Sequence, residues 1–377
     1  LSGTTGIEPP GARISLFRHA LQLHRRTPDQ PLPRDGEPYP DEARHHLRPR
    51  PKRPRDRDLV GADIARVLDA HFADPTASPS GLADRFHGLW TPLHPNAHIA
   101  VAARRAETRR VREAGRWLVR YGTDRCAVTV GLGLLAAVGT VADIPRIQTI
   151  GLLSCVFGAL AADALERLPG GAEALMWLSE RMSGWGLVYG VEALCRLVDD
   201  HPGVRPWLLR RAVEGDTLSG YVAGRVACAA GLHEAVGEFG DDTGLVDHTT
   251  RLLHVMTECD GMGMTLCRYV HAVPVLEAHV RHLGRLGPTA ERCFSVAVLA
   301  HYLTTERPAG SAEPGTESRW QAIRDAYLAL LDREDWCATA RQGAAAGDDR
   351  FRWLAGSVAD ELGLRAFRAD RRRRPGG

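Results

Sequence analysis

The chain has 377 residues and a mass of 41.1 kDa. With 44% hydrophobic and 25% charged residues it has an ordinary globular composition, which excludes collagen-like, wholly disordered and disulfide-scaffold classes for most of its length. The net charge of +2 conceals basic ends around an acidic middle: residues 1–125 carry 22 Lys/Arg against 15 Asp/Glu, residues 126–364 carry 20 against 30, and residues 365–377 carry 6 against 1.

Residues 1–20 contain no continuous apolar run, and Pro9, Pro10 and Gly11 stand where a signal peptide would be most hydrophobic, so a cytoplasmic location is expected. Eight prolines between Pro28 and Pro54 alternate with arginines. Such a composition buries too little apolar area to offset its ordering entropy. Residues 1–58 are therefore expected to form a disordered, basic, Pro-rich arm with one short helix at Ile14–His24. Deleting that arm should leave the folded body unchanged.

From Leu59 the pattern changes. Val60, Ile64, Val67, Leu68 and Phe72 recur on one helical face, and Ala97–Arg120 reads as one long arginine-rich helix closed by Gly122 as a C′ glycine. Thr123 opens a helix running to about Val138. A second helix starts at Asp143-Ile-Pro-Arg, where Asp143 is a candidate cap and Pro145 fits the first turn. Similar pairs recur at Trp185–Val198 with Pro206–Val213, at Ser219–Ala230 with Asp241–Met256, and at Met264–Leu283 with Ala290–Leu303. No segment sustains a period of two, so the expected class is all-α.

Repeated helix pairs that cannot bury an apolar face alone are the mark of an α-solenoid. The run Asp124-Arg-Cys-Ala-Val-Thr-Val-Gly-Leu-Gly-Leu-Leu-Ala-Ala-Val-Gly followed by Asp143-Ile-Pro-Arg-Ile, with a second copy at Gly186-Leu-Val-Tyr-Gly-Val-Glu-Ala-Leu and His201-Pro-Gly-Val-Arg-Pro-Trp-Leu-Leu, resembles HEAT and armadillo-type repeats over about residues 110–340. The resemblance implies an α-solenoid of irregular HEAT-like helix pairs and carries no functional residues. The expected division is an arm at 1–58, a helical region at 59–122, the solenoid at 123–364 and a basic tail at 365–377. Lys52 is the only lysine and Asn96 the only asparagine, a bias that fits a high-GC bacterial codon pool.

Two uncharged runs, Cys126–Ala142 and Ile147–Ala162, fall short of the roughly 20 residues that span a bilayer. Their Gly and Ala content suits tight packing inside the repeats, so no membrane span is expected. The eight cysteines form no CxxC and read mostly as small buried hydrophobes.

Candidate sites are sparse. Trp185 and Tyr189 share a helical face with Glu192, and Trp177 and Trp207 flank them. With Tyr221, the residues Trp185, Tyr189 and Trp207 are candidate anchors for an unknown protein partner. An alternative follows from analogy with alkylpurine DNA glycosylases built on HEAT-like repeats, in which Glu192 would face a base held by Trp185 and Tyr189. Glu192 is equally placed to pair with Arg196 four residues on. His254, Cys259, Cys267 and His271 could bind zinc, but their spacing matches no known module, and buried thiols with exposed histidines are preferred. Glu277, His279 and His282 read as a solvated helix face. Arg48, Arg50, Lys52, Arg53 and Arg55, with Arg371–Arg374, could touch phosphates; nucleic acid is possible but not favoured. No cofactor is indicated.

Overall fold

A computed structural model describes residues 13–47, 54–214, 216–309 and 315–368; Arg48, Arg50, Lys52, Arg53 and Arg371–Arg374 lie outside the described residues. All regular structure among the described residues is helical. The chain divides into two compact units, residues up to Val204 and residues from Arg205.

In the first unit the helices are α1 (Leu16–His24), α2 (Glu42–Leu47), α3 (Ala62–Ala73), α4 (Pro79–Ala83), α5 (Ala97–Arg105), α6 (Thr108–Tyr121), α7 (Arg125–Val138), α8 (Ile144–Gly151), α9 (Ser154–Glu166), α10 (Gly171–Ser179) and α11 (Gly184–Leu197). α12 (Val204–Arg211) crosses the division. The second unit holds α13 (Ala223–Ala229), α14 (Leu232–Ala235), α15 (Thr243–Glu258), α16 (Ala272–Arg285), α17 (Ala290–Thr305), α18 (Thr316–Leu331), α19 (Glu334–Ala345), α20 (Asp349–Trp353) and α21 (Ala359–Leu362).

α7 explains the first uncharged run. It packs against α5, α6 and α9, and every residue from Ala127 to Leu132 is buried, so a polar face would have nowhere to point. α9 is likewise covered by α7, α8 and α11. No helix of the described residues is long and apolar enough to cross a membrane.

Helices α9 and α11 approach closely because Gly186 has no side chain. A Cβ there would land against Ser154 Cβ and 2.9 Å from the Ser154 carbonyl oxygen. Gly186→Val is therefore expected to cost more than about 2 kcal/mol through overpacking. A thermal melt of the variant checks this; an unchanged midpoint would mean the crossing is looser than described.

Three local expectations need correction. The stretch 97–120 is two helices, because the Glu107 carboxylate accepts from the N–H groups of Arg109 and Arg110 and starts α6 afresh. Gly122 follows α6 with φ −56°, not a left-handed one; glycine is needed there because a Cβ would strike the Leu118 carbonyl. Asp143 makes no side-chain cap on α8. Its buried carboxylate instead accepts from Thr140 N at 2.9 Å and from both arms of Arg116.

The largest correction concerns the expected disordered arm. Residues 13–47 are folded onto the first unit: Leu16, Phe17, Ala20, Leu32 and Tyr39 are buried, and α1 packs on α6 and α8. Asp35 caps α9 from 119 residues away, its carboxylate accepting from Ser154 N at 2.7 Å and Cys155 N at 2.9 Å while Tyr39 donates to it at 2.8 Å. Asp41, fully buried, accepts from Arg125 N at 2.9 Å and from its guanidinium at 2.9 Å. Few apolar residues suffice because polar ones supply the docking. Across residues 122/123, α6 and α7 pack together.

In the second unit α15 and α17 pack together, and α18 packs against both α16 and α17. The His279 and His282 rings are buried rather than solvated. Thr250 donates to Val246 O at 2.8 Å, so it accepts from His279 Nε2 at 2.7 Å, leaving Nδ1 to accept from Tyr327 at 2.7 Å. His282 Nε2 donates to Val236 O at 2.8 Å. Glu277 is bound by Arg319 through two 2.8 Å bonds.

Candidate functional site

The aromatic candidates of the first unit lie along α11. Residues four apart on a helix share a face, and Trp185 and Tyr189 stack with ring centres 6.0 Å apart and planes inclined by 26°. Trp185 remains 39% exposed. His94, in the Pro-rich segment before α5, meets Tyr189 edge-on at 5.2 Å. Burial and then the Glu192 charge raise the Tyr189 phenol above its ordinary pKa, so Glu192 acts on the same patch.

His94 also borders a cavity of about 330 Å³ between α5, α7 and α9. Its wall includes Arg104, Thr129, Asp163 and Arg167. Arg167 is tied to Asp163 at 2.7 Å, whereas Arg104 is exposed and forms no ion pair among the described residues. The Thr129 hydroxyl is buried without a hydrogen-bond partner among the described residues. The site thus combines a part-exposed aromatic ledge with a cation and a hydroxyl that have no partner among the described residues.

Other candidates fall elsewhere. Trp177 is half-buried, covered by the Arg181 guanidinium at 4.4 Å and by His24 edge-on at 5.5 Å. Arg196 binds Glu166 through two 2.7 Å bonds, so the i,i+4 partner expected for it is not its closest one. Half-buried Trp207 and exposed Tyr221 belong to the second unit, whereas the α11 pair belongs to the first. Arg55 is exposed.

The four proposed zinc ligands do not converge. His254 Nδ1 is 2.9 Å from Ser295 Oγ and its Nε2 3.4 Å from Glu258. Cys259 is buried with its thiol on the Met264 carbonyl at 3.2 Å, Cys267 pairs with the Thr265 hydroxyl at 3.2 Å, and His271 stacks on His233 at 3.6 Å. No three of them lie within ligating reach of one another. The expected exposure is also corrected, since His254 and His271 are partly buried. Among the cysteines, Cys155 and Cys228 are exposed, so burial is not general, and all eight are free.

Sequence reasoning missed the cluster of His87, Asp124 and Cys126, whose ligand atoms all lie within 4.8 Å of one another. Only Asp124-x-Cys126 is local, and it was legible merely as a helix start. No family model, curated protein or solved structure matches this chain.

Proposed function

We propose that the chain is an α-solenoid-like interaction scaffold that presents helical surface to a protein partner, with the Trp185–Tyr189 ledge as its anchor. The observation that carries this reading is the exposure of Trp185, stacked on half-buried Tyr189, beside a cavity lined by an arginine that forms no ion pair among the described residues. Stacking fixes both rings before binding, so little side-chain entropy remains to be lost, and aromatic and arginine side chains dominate interface energetics. Arg104 favours a partner segment with an acidic group next to an apolar one. Successive packed helix pairs, α6 with α7, α8 with α9 and α10 with α11, support the repeat reading. A cytoplasmic partner is part of the proposal.

Photo-crosslinking from position 187 is unsuitable because Leu187 is buried, so the test places the crosslinker at the exposed Cys155. Crosslinked partners are compared between the wild-type chain, Trp185→Ala and Arg104→Glu. Trp185→Ala should leave the chain folded, costing about 1–2 kcal/mol through the lost ring contact with Tyr189, yet remove a defined crosslinked partner. Loss with Arg104→Glu as well would assign the acidic group. Partner capture indifferent to both variants would overturn the reading. Release of alkylated bases from DNA, abolished in Glu192→Gln, would replace it with the glycosylase alternative.

A further inference from the structure

We propose that His87, Asp124 and Cys126 form a site for a divalent ion of the zinc class. His87 lies in the turn after α4, where fully buried Phe86 pins the backbone beside it. The His87 side chain is only 8% exposed, yet neither ring nitrogen has a hydrogen-bond partner among the described residues. A neutral imidazole carries one donor and one acceptor, and burying both unmatched costs free energy that native structures rarely leave uncompensated. Helix capping and packing give no reason for it.

Asp124 supplies the second donor. As the N-cap of α7 it accepts from Cys126 N through Oδ1 at 2.9 Å, which fixes the carboxylate and turns Oδ2 outward. That Oδ2 lies 2.5 Å from His87 Nδ1, but the approach is off the ring N–H direction and is not a hydrogen bond. Two ligands of one tetrahedral zinc stand about 3.3 Å apart, so a bound ion would draw the ring and the carboxylate slightly apart and give each lone pair a partner. Cys126, one residue into α7, brings its thiol to the same point, with the Thr91 and Asp124 side chains bonded to it.

The donor set selects the ion. Calcium and magnesium take oxygen ligands, whereas one nitrogen, one sulfur and one oxygen suit zinc and its neighbours in the transition series. Three protein ligands leave a fourth tetrahedral position, the pattern of open rather than closed zinc sites. Beside His87 and Asp124 lies a cavity of about 310 Å³ that Arg13 and Arg44 also line. Arg44 is 3.6 Å from Asp124 Oδ2, so an anion on the fourth position would meet guanidinium charge.

The test uses the full chain, kept reduced, stripped with a chelator and reloaded with Co²⁺ alone or Zn²⁺ alone. One Co²⁺ per chain is expected, with a tetrahedral visible spectrum and a thiolate-to-cobalt charge-transfer band. Cys126→Ser should remove that band and Cys267→Ser should keep it, which separates this thiol from the others. His87→Gln should weaken binding more than about tenfold, since even outer-shell changes cost that much. Zn²⁺ should raise the thermal midpoint of the wild-type chain and not that of His87→Gln, by linkage of binding to folding. Should Cys126→Ser fail to fold, the His87→Gln titration decides alone. Sub-stoichiometric Co²⁺ in the wild-type chain, or a charge-transfer band that survives Cys126→Ser, would overturn the proposal.

Discussion

Removing residues 1–47 is expected to unfold the first unit. The deletion takes away the buried Leu16, Phe17, Leu32 and Tyr39 side chains, each worth about 1.5–3 kcal/mol on burial. It also strips Arg125 of Asp41 and Glu42, its acidic partners, leaving a guanidinium whose side chain is only 14% exposed. Breaking a buried pair from one side costs about 3–5 kcal/mol. The N-terminus of α9 loses its Asp35 cap at about 1 kcal/mol more. Together these rival the roughly 5–15 kcal/mol that holds a domain folded. Helical circular dichroism and thermal melts of the truncated and full chains check the outcome. Full helicity with an unchanged midpoint would show that the segment rests on the unit without supporting it. The single change Asp41→Ala should reproduce only part of the Arg125 loss, because Glu42 still accepts from the guanidinium at 2.7 Å.

Acid is expected to destabilise the second unit from pH 6.5 downward, before most carboxylates are protonated. Two imidazoles there are held neutral. His248 is lowered to about 4, first by burial and then by the charges of Arg251 and Arg211, while Val213 donates its N–H to Nε2 at 3.1 Å. His279 is lowered to about 3 by burial and then by His282, inside the Thr250–Tyr327 bridge. Below the unfolded value of 6.5 the unfolded chain takes up protons that the folded chain refuses. Stability is therefore fully present above pH 6.5 and falls as the pH drops through 6.5 toward the folded values. Each group contributes about 1.4 kcal/mol per pH unit, so roughly 5 kcal/mol is lost near pH 4.5. Denaturant unfolding between pH 7 and 4.5, followed by fluorescence of the buried Trp320 and Trp336, measures the slope. His279→Phe should be less stable at pH 7 and show a shallower acid slope; an identical slope would mean His279 is not held neutral.

The all-helical class was legible because it is written in local periodicity, and helices such as α7, α11, α15 and α17 stand close to where spacing and capping residues put them. Local chemistry also accounts for the Asp124 and Asp242 caps, since each bonds to the backbone within three residues. Three outcomes needed the tertiary structure. The N-terminal segment looked disordered because the sequence offers it few apolar residues, but Asp35 and Asp41 are satisfied by backbone and guanidinium groups 119 and 84 residues away. His279 and His282 looked solvated because a histidine reads as polar; the Thr250, Tyr327 and Val236 partners that make their burial tolerable come from other helices. The His87 cluster was invisible for the same reason. Patterning reports which face of an element is apolar, whereas the pairing of polar groups depends on which distant atoms meet, and only the folded chain decides that.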